Sequence, residues 1–536
     1  MKYHWSDKNK LEKDNKYLTN LYEKYLIYIS NILNKFHNES KDIRYWRIIV
    51  GPWLRFFIDI VFDRYETLNY DEKFKPKKIN LNFARDILLR SNDFSSFINE
   101  SYKDNWNKNL LNLIRGIDNE LISFKSELTP KIKLTKVRFL LLFIYVNLIN
   151  PLNRIINKNI LIIDPYVKLR PLLKFIFIAK IIPYITKTRF LKGSHKWNKF
   201  IINVPKFKSK TSFEEILNTL ILIYIPAIYT DYFFEFKKSV LRDLKYLPKI
   251  IFTSVGYQSN EECKLIAAET TSTGGKFLIA QHGGGMGIYK HNQSEKHQIE
   301  ISDKYYSYGW RESGRKNIIP MPSLQLSTFD YVKPKHNGYL INIMASLPKY
   351  FYCLYSVPIG PEYLAYIDLQ KKLSILLKED ISNRLIHRLN DDNYGWDANS
   401  LLKERGLKTC NYSKPLKQQL NKSSLCISSS NGTAGLQILS INFPTILYWP
   451  KNLFQIRKHS SYFFNNLADV GIYHTTPESA ATHLNNVIKD VDSWWNDISV
   501  QNARKKFLAN FGSTSKEWVK AWKAELLIQS KSIQKD

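Results

Sequence analysis

Two series of short apolar segments, separated by helical patterns, constrain the fold of this chain more than any other feature. The first series consists of residues 159–163, 249–254 and 276–281, and the second of residues 339–344, 425–428 and 445–449. Short runs that are apolar throughout and bounded by polar residues or glycine are typical of parallel strands covered by helices on both faces. The sequence therefore predicts an α/β protein with two doubly wound sheets, one from each series.

Helical patterns lie between these strands and extend beyond both series. Residues 261–271 and 433–441 repeat apolar positions at helical spacing and are predicted as connecting helices. At 536 residues the chain is too long for one ordinary core, and segment 331–337, with Pro334 and Lys335, is predicted to link the two sheets. We predict a helical N-terminal region at 1–130, Rossmann-like domains at 131–330 and 338–475, and C-terminal helices at 476–536.

The net charge of +31 favours anionic partners, which include nucleic acid, nucleotide phosphates and acidic lipid headgroups. The lysines are spread along the whole chain, as in Lys131, Lys133 and Lys136, and form no basic arm or nucleic-acid motif. We therefore expect no nucleic-acid partner. Two interpretations of the basic excess stay open: a solvated surface, which we favour for most of these lysines, and a peripheral enzyme at an anionic membrane.

The cysteines and the apolar stretches limit the compartment and the topology. The four cysteines are Cys263, Cys353, Cys410 and Cys426. They are widely spaced and lack a CxxC pair, so buried free thiols in a reducing cytoplasm fit best. The start of the chain lacks a secretory apolar core. Residues 139–149 are too few to span a bilayer and residues 173–185 are broken by Lys180 and Pro183, so we predict no transmembrane helix.

The sharpest local feature is the glycine-rich segment after the predicted strand at 276–281. It reads Gln281, His282, Gly283, Gly284, Gly285, Met286 and Gly287. Ligands of open α/β sheets bind at the carboxyl ends of strands, and glycines there allow close approach to the backbone or an anion-binding nest of N–H groups. His282 is predicted to accept a proton from a substrate hydroxyl, since imidazole titrates near neutral pH. A tight turn beside a structural histidine is the alternative.

A second loop, between the predicted strand at 425–428 and the predicted helix at 433–441, is rich in hydroxyl groups. It reads Ser428, Ser429, Ser430, Asn431, Gly432, Thr433, Ala434 and Gly435. Hydroxyls and free N–H groups at a helix N-terminus bind phosphate, so we predict a donor-phosphate site here, with Gln437 hydrogen-bonding a ribose hydroxyl. The loop matches neither the Walker A nor the GxGxxG pattern. An N-cap cluster that merely starts the helix is the alternative.

Other charged residues give weaker signals. Those around the strand-like segment 304–310 are Glu295, His297, Asp303 and Glu312. They are candidates for a carboxylate base or a metal ligand, but their spacing matches no metal site, and we predict neither a metal nor a cofactor. Arg384 and Arg388 are four residues apart and are expected to share a helix face, where they would clamp a diphosphate; surface ion pairing is the alternative that we favour.

Several blocks of the sequence, in order, resemble a family of transferases found in bacterial O-antigen biosynthesis clusters. The blocks are Trp46-Arg47-Ile48, Gly51-Pro52-Trp53-Leu54, Asp63-Arg64, Gln281-His282-Gly283-Gly284, Ile301-Ser302-Asp303, Gly309-Trp310, Thr476-Pro477-Glu478-Ser479-Ala480-Ala481 and Trp494-Trp495. The resemblance runs from about residue 44 to residue 511. This family is distantly similar to GT-B glycosyltransferases and to CDP-glycerol glycerophosphotransferases.

The resemblance implies a GT-B-like fold, with the acceptor bound by residues 131–330 and the nucleotide donor by residues 338–475. In the glycerophosphotransferases a His-Gly motif is implicated in catalysis and a Ser/Thr-rich loop holds the donor. The matching positions are His282-Gly283 and residues 428–433. The family pattern usually carries Glu where this chain has Gln437, which is a neutral and weaker acceptor for ribose hydroxyls.

The function implied is transfer of a sugar from a nucleotide-activated donor to a polysaccharide or lipid-linked acceptor of the cell surface, as in O-antigen, lipopolysaccharide or capsule synthesis. The enzyme is expected in the cytoplasm, either free or peripheral at the inner face of the cytoplasmic membrane. Two alternatives stay open. One is a polyol-phosphate transferase of the CDP-glycerol type, and the other is a non-catalytic, membrane-associated scaffold in polysaccharide assembly.

Overall fold

The computed structural model describes residues 3–72, 89–117, 121, 144–156, 159–187, 197–200, 204–205, 207–389, 394–410 and 414–532. Within these ranges the chain forms two β-sheets surrounded by helices. The predicted boundary at residue 130 lies outside the described residues, as do Lys131, Lys133 and Lys136. The division into four domains stays a prediction.

The N-terminal part of the described chain is helical, as the spacing of its apolar residues indicates. Its helices are α1 Lys8–His37, α2 Ile43–Ile49, α3 Gly51–Glu72, α4 Phe94–Ser101 and α5 Asp104–Arg115. The side chains of Asp7 and Asp42 cap α1 and α2 by accepting backbone N–H groups. The break between α2 and α3 falls at Gly51-Pro52, as expected for a proline at the second position of a helix. A Cβ atom at Gly51 would lie 2.8 Å from the Tyr22 hydroxyl, so glycine allows α1 and α3 to pack closely.

The first sheet has five parallel strands in the order β1-β2-β3-β4-β5. The strands are β1 Ile160–Ile162, β2 Ile250–Thr253, β3 Lys276–Ala280, β4 Lys304–Ser307 and β5 Ile318–Pro320. The helices of this part are α6 Asn150–Ile156, α7 Leu169–Ala179, α8 Trp197–Phe200, α9 Ser212–Tyr224, α10 Phe233–Leu244, α11 Gly256–Ser259, α12 Glu261–Ser272 and α13 Gln293–Ile301. Strands β1 to β3 and the connecting helix α12 lie where the sequence predicts them.

The second sheet is also parallel, with the strand order β10-β9-β8-β6-β7. The strands are β6 Tyr339–Ile343, β7 Leu385–Arg388, β8 Ser423–Ser428, β9 Thr445–Tyr448 and β10 Tyr473–His474. The helices of this part are α14 Glu362–Leu376, α15 Glu379–Ser382, α16 Ala398–Glu404, α17 Leu416–Leu420, α18 Thr433–Ser440 and α19 Lys458–Asp469. Because β6 pairs with both β7 and β8, the strand order reverses at β6, and a crevice forms outside the carboxyl ends of strands at such a reversal.

The C-terminal helices belong to both halves of the molecule. They are α20 Pro477–Val487, α21 Val491–Asn496, α22 Ile498–Phe511 and α23 Trp518–Ser532. Helix α20 packs against α14 beside the second sheet. Helix α23 instead reaches the first sheet, where the Trp522 ring meets those of Phe252 and Tyr306 and its indole N–H donates to the Pro322 carbonyl oxygen at 2.9 Å. Helix α23 therefore packs on the first sheet although it follows the second in the chain, which the sequence did not indicate.

The expectation that Arg384 and Arg388 share a helix face is wrong. Arg388 is the last residue of strand β7, and Arg384 directly precedes that strand. The Arg384 guanidinium donates to the Gly338 carbonyl oxygen at 2.7 Å, and that of Arg388 donates to the Lys414 carbonyl oxygen at 3.0 Å. Residues four apart lie on one side of a helix and also of a strand, so this spacing alone does not distinguish the two.

The architecture predicted from the sequence is confirmed at the level of its class. Two parallel sheets with helices on both faces form an α/β protein with two Rossmann-type halves, flanked by helices at both ends of the described chain. No helix within the described ranges is long and apolar enough to cross a membrane.

Candidate active site

A cavity of about 290 Å³ opens where loops from the two sheets meet. Three segments supply most of its lining: the loop after β3 beginning at His282, the loop after β8 at residues 431–433, and the connection between β6 and α14 at residues 347–360. The first two are the glycine-rich and hydroxyl-rich loops that the sequence singled out. The structure therefore brings His282 and Thr433 to one cavity, at the crevice that the strand order indicates.

Gln281 holds the glycine-rich loop in shape and does not line the cavity. Its side-chain oxygen accepts hydrogen bonds from the Tyr308 backbone N–H at 2.9 Å and the Trp310 indole N–H at 2.8 Å. Its amide nitrogen donates to the Gly283 carbonyl oxygen at 2.8 Å. The side chain is buried, with both ends occupied by the protein. Gln281 therefore supports the loop from its base, outside the cavity.

His282 lies at the carboxyl end of β3 and lines the cavity. Its ring contacts those of Tyr166 and Tyr257, with centroids 6.2 and 5.9 Å away, and its Nδ1 is buried without a hydrogen-bond partner among the described residues. Burial lowers the pKa of His282 to about 4, against an opposing effect of the Ser254 backbone. The imidazole is therefore neutral at pH 7 and able to accept a proton, but it is a weaker base than the sequence argument assumed.

The three glycines after His282 differ in what surrounds them. Gly283 is partly exposed in the cavity wall, and a Cβ atom there would meet only the Met286 side chain, at 3.7 Å. A Cβ atom at Gly284 would lie 2.6 Å from the Gly432 carbonyl carbon, so this glycine lets the two loops touch. A Cβ atom at Gly285 would overlap the Tyr289 ring. Of the three, Gly283 is the glycine at which the side-chain direction is open.

An ion pair that the sequence did not predict fastens the glycine-rich loop to the second half of the molecule. Glu295 accepts the Gly287 backbone N–H at 2.5 Å and pairs with Arg457, which also donates to the Tyr289 carbonyl oxygen at 2.9 Å. Burial raises the pKa of Glu295, although the charge of Arg457 opposes this. The role considered for Glu295 as a base or metal ligand gives way to a structural one, because both of its oxygens are engaged.

The hydroxyl-rich loop turns its first two serines inward. The Ser429 hydroxyl donates to the Asn342 side-chain oxygen at 2.8 Å and lies 3.1 Å from the Tyr366 hydroxyl, and the Ser428 hydroxyl donates to the Ser430 carbonyl oxygen at 3.0 Å. Both serines are buried and do not line the cavity. The Ser429 hydroxyl ties the loop to β6 and the Ser428 hydroxyl closes the turn of the loop itself, so neither is presented to a ligand in this conformation.

The part of this loop that reaches the cavity is Asn431, Gly432 and Thr433. The Thr433 hydroxyl accepts the Gly284 backbone N–H at 3.1 Å, and the Asn431 carbonyl oxygen accepts the Tyr289 hydroxyl at 3.0 Å. Thr433 is the first residue of α18, so the positive end of that helix dipole lies at the cavity. Gln437, one turn further along, is partly exposed but does not line the cavity.

The third wall of the cavity was not anticipated from the sequence. It is formed by the connection between β6 and α14, and its aromatic members are Tyr350, Phe351, Tyr352 and Tyr355. The backbone of this segment is irregular, so its side chains follow neither the strand nor the helix period. A signal was present nonetheless: an aromatic-rich segment directly after a buried strand lies at the edge of the sheet where ligands bind.

The remaining charged candidates do not line the cavity. Asp303 pairs with Arg44 at 2.8 Å and accepts the Phe277 backbone N–H at 2.7 Å. His297 is buried in α13, and burial lowers its pKa to about 3, whereas Glu312 is exposed. No group of three or more His, Cys, Asp or Glu side chains among the described residues is arranged to hold a metal ion.

Comparison with protein families gives a match over nearly the whole chain. The profile described as LIC12162 family transferase matches residues 1–526. No sequence among curated proteins gives a significant match.

Several solved structures are similar to this chain. A glycosyltransferase from Rickettsia africae ESF-5 shares 16% identity over 70% of this chain and 99% of its own, with a TM-score of 0.37. The wall teichoic acid polymerase TagF shares 11% identity over 70% of this chain and 89% of its own, with a TM-score of 0.31. WaaG, a glycosyltransferase involved in lipopolysaccharide biosynthesis, shares 8% identity over 68% of this chain and 99% of its own, with a TM-score of 0.31.

Proposed function

The chain belongs to the LIC12162 family of transferases, and we propose that it transfers a sugar from a nucleotide-activated donor to a hydroxyl group of a bacterial surface polysaccharide such as O-antigen or capsule. One observation carries the proposal: His282 and the first residue of α18, Thr433, line the same cavity. A neutral base for the acceptor hydroxyl and N–H groups for the donor phosphates are what such a transfer requires.

The donor diphosphate is assigned to residues 431–433 and the first turn of α18. Gly432 is the N-cap of this helix and has no side chain to satisfy the N–H groups of the first turn, which leaves them available to an anion. The side-chain nitrogen of Asn431 is buried without a hydrogen-bond partner among the described residues. An unsatisfied buried donor beside a helix N-terminus favours a phosphate oxygen as its missing partner.

The transfer step is assigned to His282 and the space beside Gly283. The acceptor oxygen attacks the anomeric carbon of the donor sugar while its proton passes to the neutral imidazole. The bond between the anomeric carbon and the phosphate oxygen breaks, and the nucleotide leaves with the electron pair, as a nucleoside diphosphate from CDP-, UDP- or GDP-linked donors and as CMP from a CMP-linked donor. The helix dipole of α18 stabilises the negative charge that develops on this leaving group.

The test is turnover by His282→Ala with CMP-, CDP-, UDP- and GDP-linked donors and polysaccharide acceptors. We expect the purified variant to bind the preferred nucleotide with unchanged affinity and to lose about 10²- to 10⁴-fold in kcat, the usual contribution of a general base. His474→Ala, which changes a histidine of β10 that does not line the cavity, is the matched control and should retain activity. Full turnover by the His282 variant would contradict the assignment.

The same experiment decides between this proposal and its alternatives. If a CDP-linked polyol is the donor, the acceptor oxygen attacks phosphorus and CMP leaves, and the product carries a new phosphodiester. If no nucleotide raises the thermal unfolding midpoint of the wild-type protein and no donor is consumed, the chain is a scaffold rather than a transferase.

We also infer that helix α7 holds the enzyme at an anionic membrane. Leu169, Leu173 and Phe177 recur at intervals of four residues on α7 and are 71%, 57% and 74% exposed. The exposed basic residues around this apolar face are Lys168, Arg170, Lys174 and Lys180. An apolar stripe on a basic helix is typical of helices that lie in the headgroup region of anionic bilayers. Since Tyr166, just before α7, contacts His282, such docking would bring a lipid-linked acceptor close to the cavity.

Vesicle sedimentation tests the membrane contact. The wild-type protein should pellet with phosphatidylglycerol vesicles more than with phosphatidylcholine vesicles, and Leu173→Glu/Phe177→Glu should weaken this binding about tenfold or more. Phe234→Glu changes a 68% exposed phenylalanine on α10 and should leave binding unchanged. Equal binding by the double variant would remove α7 from the contact.

A further inference from the structure

A second cavity, of about 280 Å³, lies between the N-terminal helices and the segment that walls the first cavity. Tyr350, Phe351 and Gly360 line both cavities, so the two spaces are separated by this one segment. Aromatic rings of Tyr70 and Trp396 complete its sides. An engineered cavity of about 150 Å³ already holds a benzene ring, so the second cavity has room for a six-membered ring with substituents.

The floor of this second cavity is a buried polar cluster built on Asp63-Arg64, a pair that the sequence analysis singled out and the proposed transfer leaves unused. Oδ1 of Asp63 accepts hydrogen bonds from the Tyr3 hydroxyl and from His4, and Oδ2 accepts one from Arg64. Although burial acts to raise it, the pKa of Asp63 is held below its ordinary value by the charge of Arg64 and by these hydrogen bonds. Asp63 is therefore a carboxylate, 4% exposed, at the edge of an aromatic cavity.

Arg64 and Asp63 retain hydrogen-bonding capacity beyond the contacts that they make within the protein. The Arg64 guanidinium uses four of its N–H groups within the described residues: two on the Asn107 side-chain oxygen, one on the Phe351 carbonyl oxygen and one on Asp63. A guanidinium carries five N–H groups, and each carboxylate oxygen has two lone pairs. One N–H of Arg64 and one lone pair on Oδ2 of Asp63 are therefore left, side by side, at the floor of the cavity.

Two further polar atoms around this cavity have no partner in the described part of the chain. They are Nδ1 of His4, whose residue is 4% exposed, and the indole nitrogen of Trp396. The other ring nitrogen of His4 is engaged with Asp63, and the indole N–H of Trp396 is a donor. Buried polar groups without partners carry a free-energy cost unless a ligand or water satisfies them.

We propose that the second cavity binds a neutral pyranose ring, a hexose unit of the acceptor saccharide. Adjacent donor and acceptor groups on Arg64 and Asp63 match a sugar hydroxyl, which accepts one hydrogen bond and donates another. The C–H faces of the ring carry partial positive charge and pack on the negative faces of aromatic rings such as Tyr350 and Trp396. A phosphate or carboxylate fits this site less well, because the two cations of the lining, Arg64 and Lys349, are already paired with Asp63 and Asp104.

The position of the second cavity indicates that the hexose bound there belongs to the acceptor rather than to the donor. The donor end of the first cavity is at residues 431–433, whereas the wall shared by the two cavities is at Tyr350-Phe351. A saccharide anchored beyond this wall would be held away from the donor nucleotide, with the remainder of the acceptor left to reach His282. The assignment to an acceptor rests on the proposed transfer function, but the affinity for a hexose does not.

Saturation-transfer difference NMR with glucose, galactose, mannose and lactose tests the hexose site directly. We expect at least one of these sugars to bind the wild-type protein and to lose about threefold to tenfold in affinity in Tyr70→Ala and in Trp396→Ala, because each removes one aromatic contact. Trp396→Phe keeps a ring but lacks the N–H and should lose less. Tyr246→Ala, which changes a 59% exposed tyrosine after α10, is the matched control and should bind as the wild type does.

Saturation with UDP or CDP distinguishes this site from the first cavity. Sugar signals that persist in the presence of nucleotide and in His282→Ala place the hexose in the second cavity. Absence of binding by all four sugars, or binding that is lost in His282→Ala and kept in Trp396→Ala, would overturn the proposal. Hexose binding by a protein that binds no nucleotide would keep the second site while ending the case for transfer.

Discussion

The two loops that meet at the first cavity are held in place in opposite ways. The glycine-rich loop after β3 is supported from outside, by Gln281 at its base and by the Glu295–Arg457 pair beside it. The hydroxyl-rich loop after β8 is supported from within, by the inward-turned hydroxyls of Ser428 and Ser429. Each loop presents to the cavity the groups that its supports leave unused. The glycine-rich loop presents an imidazole and a bare backbone, and the hydroxyl-rich loop presents N–H groups at the start of a helix.

This difference separates residues that shape the site from residues that are free to meet a ligand. A hydroxyl is short and hydrogen-bonds readily to its own backbone, so a run of serines often satisfies itself. A glycine has no side chain and must be held by others. Removing a support of the first loop should therefore cost more stability than removing one hydroxyl of the second.

The largest expected effect is the loss of stability when the Glu295–Arg457 pair, which supports the glycine-rich loop, is removed. Glu295→Ala leaves the Arg457 guanidinium without its buried partner and the Gly287 N–H without an acceptor. We expect the free energy of unfolding in urea to fall by about 3 kcal/mol, the lower end of the cost of breaking a buried ion pair.

Two controls accompany Glu295→Ala. Glu295→Gln keeps an acceptor for Gly287 and should lose less, and Glu312→Ala, at an exposed position, should lose almost nothing. If the Ala variant at position 295 were as stable as the wild type, the glycine-rich loop would not depend on this ion pair.

A smaller effect is expected where the loops touch. Gly284→Ala places a Cβ atom against the Gly432 backbone, which has little freedom to move, whereas Gly283→Ala meets only the end of Met286. We expect Gly284→Ala to lower the free energy of unfolding by about 2 kcal/mol, as overpacking does, and to reduce turnover because the loops separate. Gly283→Ala should unfold as the wild type does, so equal stability of the two variants would show that the loops do not need to touch.

The architecture was predictable from the sequence because its signals are local. Buried strands such as β2, β3 and β8 consist of apolar residues between polar ends, and in helix α12 the apolar residues recur at helical spacing. Each of these elements can therefore be recognised from its own residues, without knowledge of what packs against it. Strand β7 was missed because it ends in His387-Arg388, whose side chains are satisfied by long-range partners that no local pattern contains.

The sequence predicted where the candidate site lies but not which side chains face the cavity. The strand ends placed His282 and Thr433 at the correct edge of the sheet, because that edge follows from strand direction alone. Which serine faces the cavity depends on hydrogen bonds to Asn342 and Tyr366, which are far away in the chain. The same holds for Arg457, a residue with no local motif, which takes its role from Glu295.

A third prediction contrasts an inward hydroxyl with an outward one. Ser429→Ala should lower the free energy of unfolding by about 1 kcal/mol and leave nucleotide affinity unchanged, since its hydroxyl is used within the protein. Thr433→Val should also lower the free energy of unfolding by about 1 kcal/mol, because the Gly284 N–H loses its acceptor, but unlike Ser429→Ala it should weaken nucleotide binding about fivefold, because Thr433 borders the cavity. Urea unfolding measures the stability of each variant and calorimetric titration with the preferred nucleotide measures its affinity, with Thr433→Ser as the control that restores the hydroxyl. Weakened binding in Ser429→Ala instead would mean that this loop reorganises when the donor enters.

The smallest expected effect is on the pH dependence of turnover, which the burial of His282 should shift to lower pH. Burial lowers the pKa of this imidazole from 6.5 to about 4, so the neutral form that accepts a proton is present above about pH 5 and is lost only as the pH falls through 4. The acid limb of kcat/KM, which reports the free enzyme, should therefore lie near pH 4 rather than near 6.5.

The limb of kcat should lie at higher pH than that of kcat/KM, because a bound diphosphate stabilises the protonated imidazole and raises its pKa in the complex. The pH dependence of both parameters, measured with the preferred donor, gives the order of the two limbs. A kcat limb at or below that of kcat/KM would mean that the donor phosphates lie too far from His282 to affect its charge, and the shared cavity would then hold the base and the donor apart.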